Sequence, residues 1–267
     1  MPAVRPPRVA GQFYPANKKT LHSFLKEHIP SHRQKKKVIG VIMPHAGYIY
    51  SGTTAAVTIA HVDVPDSVVL LGPNHTGAGE AFSLMSCGTW QMPLGDVAIN
   101  EQLASELIES SSYIKADTAA HRLEHSLEVE LPFLYFLNNN VTIVPLTIGS
   151  HNLEHCRAVG NAIAQCLRGK NVLIVASSDM THYESHQAAE KKDKEAISAI
   201  QQLDEDALAE TVSRLNISMC GFIPVYILLV AAKALGATTA QLIDYRTSGE
   251  ASGDFDQVVG YAGMIIE

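Results

Sequence analysis

Short apolar runs alternate along this chain with longer stretches of helical spacing. Residues 37–43, 67–71, 82–86, 141–148, 171–176, 241–245 and 258–266 are largely apolar at consecutive positions. That is the pattern of strands buried on both faces. Between them, residues 51–60, 100–109, 125–137, 153–167, 185–202, 204–215 and 224–235 repeat apolar positions every three or four residues and predict helices. Pro224 suits the first turn of the last helix and Gly236 its stop. The alternation predicts one α/β domain over residues 1–267. Its layers are three: a central, mostly parallel or mixed sheet with helices on both faces. No low-complexity linker and no internal repeat divides the chain.

Composition narrows the class. A chain of 267 residues can bury a large core without covalent staples. With 46% hydrophobic and 18% charged residues it is neither disordered nor a coiled coil. Its 20 Lys and Arg against 27 Asp and Glu give a formal net charge of −7, which argues against a nucleic-acid partner. The longest apolar run, residues 222–232, ends at Lys233 and falls short of the roughly 20 residues a membrane span needs. Residues 1–7 hold no apolar signal core, and residues 33–37 are basic and solvated. Cys87, Cys156, Cys166 and Cys220 show no C-x-x-C spacing and read as core thiols of a reducing compartment. A cytoplasmic protein with a small-molecule ligand and no membrane partner is expected. A homo-oligomer would fit the general frequency of symmetric assemblies.

Twelve histidines change the picture, because three follow strands. In α/β sheets, sites form at the carboxyl ends of strands. His45 follows the first major run, in Pro44-His-Ala-Gly-Tyr48, and His75 follows the second, in Gly72-Pro-Asn-His75. Asp179 and His182 follow the run at 171–176, and Arg246 follows the strand ending at Tyr245. Neutral imidazole binds first-row metals and also titrates near neutral pH. His45 and His75 are therefore candidate metal ligands, with Asp179 and His182 candidate acid/base groups. His22, His28, His32, His61, His151, His155 and His186 lack such a setting and read as surface residues. His121-Arg-Leu-Glu-His125 matches the inverted zincin pattern H-x-x-E-H, which binds zinc only from one face of a helix. A helix starting near His125 would instead put His125 and Glu128 by the crevice as hydrogen-bonding or acid/base groups, or on a solvated face. Ser177-Ser178 with Asp179 and His182 could imitate a serine hydrolase, but no G-x-S-x-G, P-loop or G-x-G-x-x-G pattern is present.

Val9-Ala-Gly-Gln-Phe-Tyr-Pro15, Pro44-His-Ala-Gly-Tyr48, Gly72-Pro-Asn-His75, Glu124-His-Ser-Leu-Glu128, Ser177-Ser-Asp179 with His182, and Cys220-Gly221 resemble the Memo family. That family is named for a mediator of ErbB2-driven cell motility; its prokaryotic branch is called AmmeMemoRadiSam system protein B. The resemblance runs in order from about residue 5 to the C-terminus. It implies a fold similar to class III (LigB-type) extradiol dioxygenases, in which two His and a Glu hold iron and a further His is the acid/base. By motif, His45 and His75 match the ligands and His182 the acid/base. The resemblance implies a third ligand in the loop after Tyr245, where this chain has no Cys and Glu250 is the nearest candidate. It also implies a divalent metal, iron(II) first, with copper or zinc as alternatives. Radical-SAM and AMMECR-type proteins are the partners it implies.

The expected function is thus a metal-dependent, dioxygenase-like oxidoreductase acting on a small molecule. His182, Asp179 and His125 are the expected catalytic residues, and His45, His75 and Glu250 the expected metal ligands. Two other readings stay open: a binding or scaffold protein with a relic pocket, and a metal-assisted hydrolase in which Asp179 or Glu128 activates water.

Overall fold

The four most apolar runs lie side by side. In the computed structural model, which describes residues 3–31 and 35–267, they form the parallel heart of a mixed sheet. His32 and Arg33, like Met1 and Pro2, lie outside the described residues. The order begins β1 (Val4–Arg5), α1 (Lys18–His28), β2 (Gly40–Met43), α2 (Tyr48–Ile59), β3 (Ser67–Pro73), β4 (Phe82–Leu84), β5 (Thr89–Met92), β6 (Gly95–Ala98), α3 (Glu101–Ser110) and β7 (Lys115–Ala116). A 3-10 turn (Glu128–Glu130) then leads into α4 (Leu131–Leu137), β8 (Thr142–Ile148), α5 (Leu153–Leu167), β9 (Leu173–Ser177) and β10 (His182–Glu184). The chain closes with α6 (His186–Gln201), α7 (Glu205–Leu215), α8 (Phe222–Ala234), β11 (Ala240–Thr247), α9 (Gly249–Ser252) and β12 (Val258–Ile266).

The main sheet runs β10-β12-β2-β9-β3-β8-β4-β7, with β11 also paired to β12. β2, β9, β3 and β8 are mutually parallel; β12 joins β2 antiparallel and β4 joins β8 antiparallel. β1, β5 and β6 make a separate three-stranded sheet. Both faces of the main sheet are covered. Gly40 of β2 sits against Leu228 of α8 and Gly260 of β12 against Asp193 of α6, whereas Gly263 of β12 sits against Thr58 of α2. Even and odd positions of β12 therefore face different helical layers, as strand pleating requires. The core between the layers is apolar from Val9 to Ile266.

Local chemistry sets several boundaries. α8 starts at Gly221, carries Pro224 in its first turn and stops before Gly236, whose φ is +96°. The helix predicted from residue 125 begins later, at Leu131 with Pro132 in its first turn. The reason is Glu124, whose carboxylate takes the N–H groups of His125 and Ser126 and so holds that segment in a turn. H-x-x-E-H is accordingly not helical: His121 is buried elsewhere, against Ser83 O and Thr147, and the metalloprotease geometry is absent. Among the described residues no helix is long and apolar enough to cross a membrane.

Candidate metal centre

Three strands deliver the site from their carboxyl ends. His45 stands two residues past β2, His75 two past β3 and Asp179 two past β9. Between α7 and α8 a fourth segment brings in Cys220. Gly221 makes that approach feasible, because a Cβ there would collide with Ser177 O and with Ser178. One ligand atom from each of His45, His75 and Cys220 lies within 4.8 Å of the other two. Cys220 Sγ is 3.2 Å from His45 Nε2. Two further groupings overlap this one, His75 with Glu124 and His125, and Asp179 with His182 and Cys220.

Each imidazole is held at Nδ1. His75 Nδ1–H donates to Glu124 Oε1 at 2.9 Å, and Glu124 Oε2 also accepts from the His75 backbone N–H at 2.6 Å. His45 Nδ1–H donates to Ser177 Oγ at 2.7 Å, and Ser177 passes its own proton to Ser126 O, also at 2.7 Å. His182 Nδ1–H donates to Met180 O at 2.7 Å. Nε2 of each ring is thereby the nitrogen left for a ligand. An imidazole whose other N–H is bound to a carboxylate or hydroxyl is the usual outer arrangement of metal-bound histidine.

The electrostatics agree with that assignment. Burial, then the neighbouring His125 and His75, drive the His45 pKa well below its ordinary value, so the ring is neutral and able to donate a lone pair. Burial alone would raise the Glu124 carboxyl, but hydrogen bonds from the His75 ring and from backbone N–H groups outweigh it and hold the group down to about 2. Burial and then Asp179 push the Cys220 thiol well above its ordinary pKa. Asp179 is itself raised, chiefly by burial, while its Oδ1 accepts the His45 backbone N–H at 2.8 Å. Behind Ser177 lies Glu130, fully buried, with Oε1 3.1 Å from Ser177 Oγ and Oε2 without a partner. Burial pushes the pKa of its carboxyl well above the ordinary value.

The expected residues thus divide. His45 and His75 come together, and their rings are 5.3 Å apart. His125 stacks on His75 at 4.7 Å and is backed by Phe13 at 4.7 Å. His182 and Asp179 flank Cys220. Glu250 is not brought to this point. Its carboxylate is 3.4 Å from both Arg246 Nη1 and Thr247 N, about half exposed, and in none of the groupings. The third group within reach of His45 and His75 is Cys220 instead, because the α7–α8 turn reaches the strand ends while α9 caps the end of β11. The sequence sets Cys220-Gly221 among the resembling residues and marks the thiol as a core residue; the glycine after it is the local signal of its approach to the strand ends. Glu128 also leaves the crevice. It binds Arg5 Nη1 at 2.6 Å, the N–H groups of Arg8 and Val9, and Tyr14 Oη, which fixes the N-terminal segment.

Two nitrogen donors and one sulfur donor, with both rings oriented from behind, suit a borderline or soft first-row ion. The Memo family profile, described as Memo-like protein, matches residues 5–265. A MEMO1 family protein of Methanopyrus kandleri is 42% identical over 277 residues, covering 98% of each chain. One of Methanosarcina barkeri is 42% identical over 99% of this chain and all of its own, and one of Aquifex aeolicus is 40% identical over 98% of each. Among solved structures, an uncharacterized Escherichia coli K12 protein shares the fold at a TM-score of 0.57. It is 13% identical and aligns over 85% of this chain and 98% of its own. With relatives of about 40% identity along its whole length, the chain belongs to the Memo family.

Proposed function

We propose that the chain is a metal-dependent oxidoreductase of dioxygenase-like type acting on a small molecule. The observation that carries this reading is the meeting of His45, His75 and Cys220 within 4.8 Å, with both rings held at Nδ1. His45, His75 and Cys220 would hold the ion. A bound ion would supply Lewis acidity and, as iron or copper, a one-electron redox centre. Among these, a thiolate beside two imidazoles suits iron(II), copper(I) and zinc.

The chain's own residues have separable tasks. Glu124 and Ser177 fix the two rings, and the ionised Glu124 makes the His75 nitrogen a stronger donor. His182, held through Nδ1 and partly exposed, keeps Nε2 free to accept or release a proton. Asp179 pins the backbone of His45 and so the position of that loop. Phe13 packs against the His125 ring and fixes its position beside His75.

Metal analysis of protein purified without chelator is the first test, followed by oxygen uptake with a panel of catechols. Stoichiometric metal with substrate-dependent uptake supports the reading. Bound metal with neither uptake nor hydrolysis would favour a binding or scaffold protein, and protein that takes up no iron, copper or zinc refutes a metal centre.

A further inference from the structure

β12 reads Val-Val-Gly-Tyr-Ala-Gly-Met-Ile-Ile, and Tyr261 is the one side chain in it with a hydrogen-bonding group. Only 2% of this residue is exposed. Phenols so deeply placed ordinarily find a partner. Tyr14 donates to Glu128, Tyr48 to Val129 O and Tyr245 to Asp193. The Tyr261 hydroxyl bonds to no protein group among the described residues. Nor is it sealed in, since Glu130 Oε2 is the one fully enclosed side-chain polar atom there without a partner. Its oxygen therefore opens onto space.

Register says which space. Tyr261 lies two positions beyond Val259, which pairs with His182, and on the same face of β12 as Gly263, toward α2. α2 itself begins three residues after His45. Burial raises the phenol's pKa, and Asp179, Tyr50, Tyr183 and Cys220 raise it further. Met264, three positions further on, pairs with Ile42 near the carboxyl end of β2, so the antiparallel run sets Tyr261 at the sheet edge from which the His45 loop departs.

We propose that the Tyr261 hydroxyl is a hydrogen-bond donor to the small molecule held at the metal centre, and that this molecule presents an oxygen acceptor there. The inference rests on the metal-centre reading above. A neutral donor aimed at an oxygen that carries negative charge selects for phenolate- or carboxylate-type ligands over apolar ones of equal size.

The test uses the full chain loaded with cobalt(II) and titrated with 4-nitrocatechol, comparing wild type, Tyr261→Phe and the remote control Tyr113→Phe. Cobalt affinity is measured separately by calorimetry with the metal alone. Tyr261→Phe should bind cobalt within twofold of wild type, with an unchanged circular dichroism spectrum, because the ring stays. Its affinity for 4-nitrocatechol should fall by roughly tenfold or more, the worth of one hydrogen bond to a charged oxygen. Tyr113→Phe should match wild type in both. Equal binding of the probe by wild type and Tyr261→Phe overturns the inference, as does a cobalt-loaded wild type that does not bind the probe. Failure of wild type to bind cobalt overturns the metal-centre reading itself, and the inference with it.

Discussion

His121 shows how much a single buried side chain can weigh. Its Nε2–H donates to Ser83 O at 2.9 Å and its Nδ1 accepts from Thr147 at 3.0 Å, which requires the neutral ring. Burial, with some help from Arg5, lowers its pKa to about 4. The unfolded chain therefore binds this proton first as pH falls, so stability present above about 6.5 drains away down to about 4. The loss from this group should be about 3 kcal/mol, and urea unfolding of His121→Gln should show a flatter pH dependence than wild type over that window. Ser177 carries a different expectation. Ser177→Ala should weaken metal binding by about tenfold with little change in melting temperature, because the His45 ring loses its anchor while the strand stays packed. Calorimetry with the metal alone checks it. At this scale the sequence was informative wherever a residue followed a strand: His45, His75, Asp179 and His182 could be found that way. Cys220 follows no strand but sits in a helix–helix turn, so the glycine after it is its one local signal, and its meeting with His45 depends on the approach of that turn to β9.

Elements were legible where they are apolar and long. The strands β3, β8, β9 and β12 and the helices α3, α5, α6, α7 and α8 fall within a few residues of the periodic segments. What stayed hidden has weak local signals. α1 buries only Leu21 and Leu25, so one thin stripe marks it, although Asn17 caps it by accepting from Lys19 and Thr20 N–H. The β5–β6 hairpin turns through Pro93-Leu94 rather than Asn-Gly, and so lacks the usual hairpin signature. The N-terminal segment has no periodicity at all; a buried ion pair, Arg5 with Glu128, ties it down. Arg5 also lies 4.0 Å over the Trp90 ring. Glu128→Gln should cost about 3–5 kcal/mol, because it leaves a buried guanidinium without its counter-charge. Hydrogen exchange over residues 3–15 should rise in that variant well before exchange in β9 does, and uniform protection of both would contradict the anchoring role.

Across the whole molecule, the parallel core places three loop ends at one edge of the sheet, and the antiparallel β12 brings Tyr261 to the same edge from the opposite direction. A site built this way is stabilised by whatever binds it. Metal at one hundred times its dissociation constant should add about 2.7 kcal/mol to folding, and chelator should remove that increment from the thermal transition. The centre's donor set is the claim on which the rest depends. Cobalt(II) titration of wild type, Cys220→Ser and Glu250→Gln, followed by the thiolate-to-cobalt charge-transfer band, tests it most directly. Wild type and Glu250→Gln should show the band with equal affinity, whereas Cys220→Ser should lose the band and most of the affinity. Full cobalt affinity in Cys220→Ser together with its loss in Glu250→Gln would contradict the assignment.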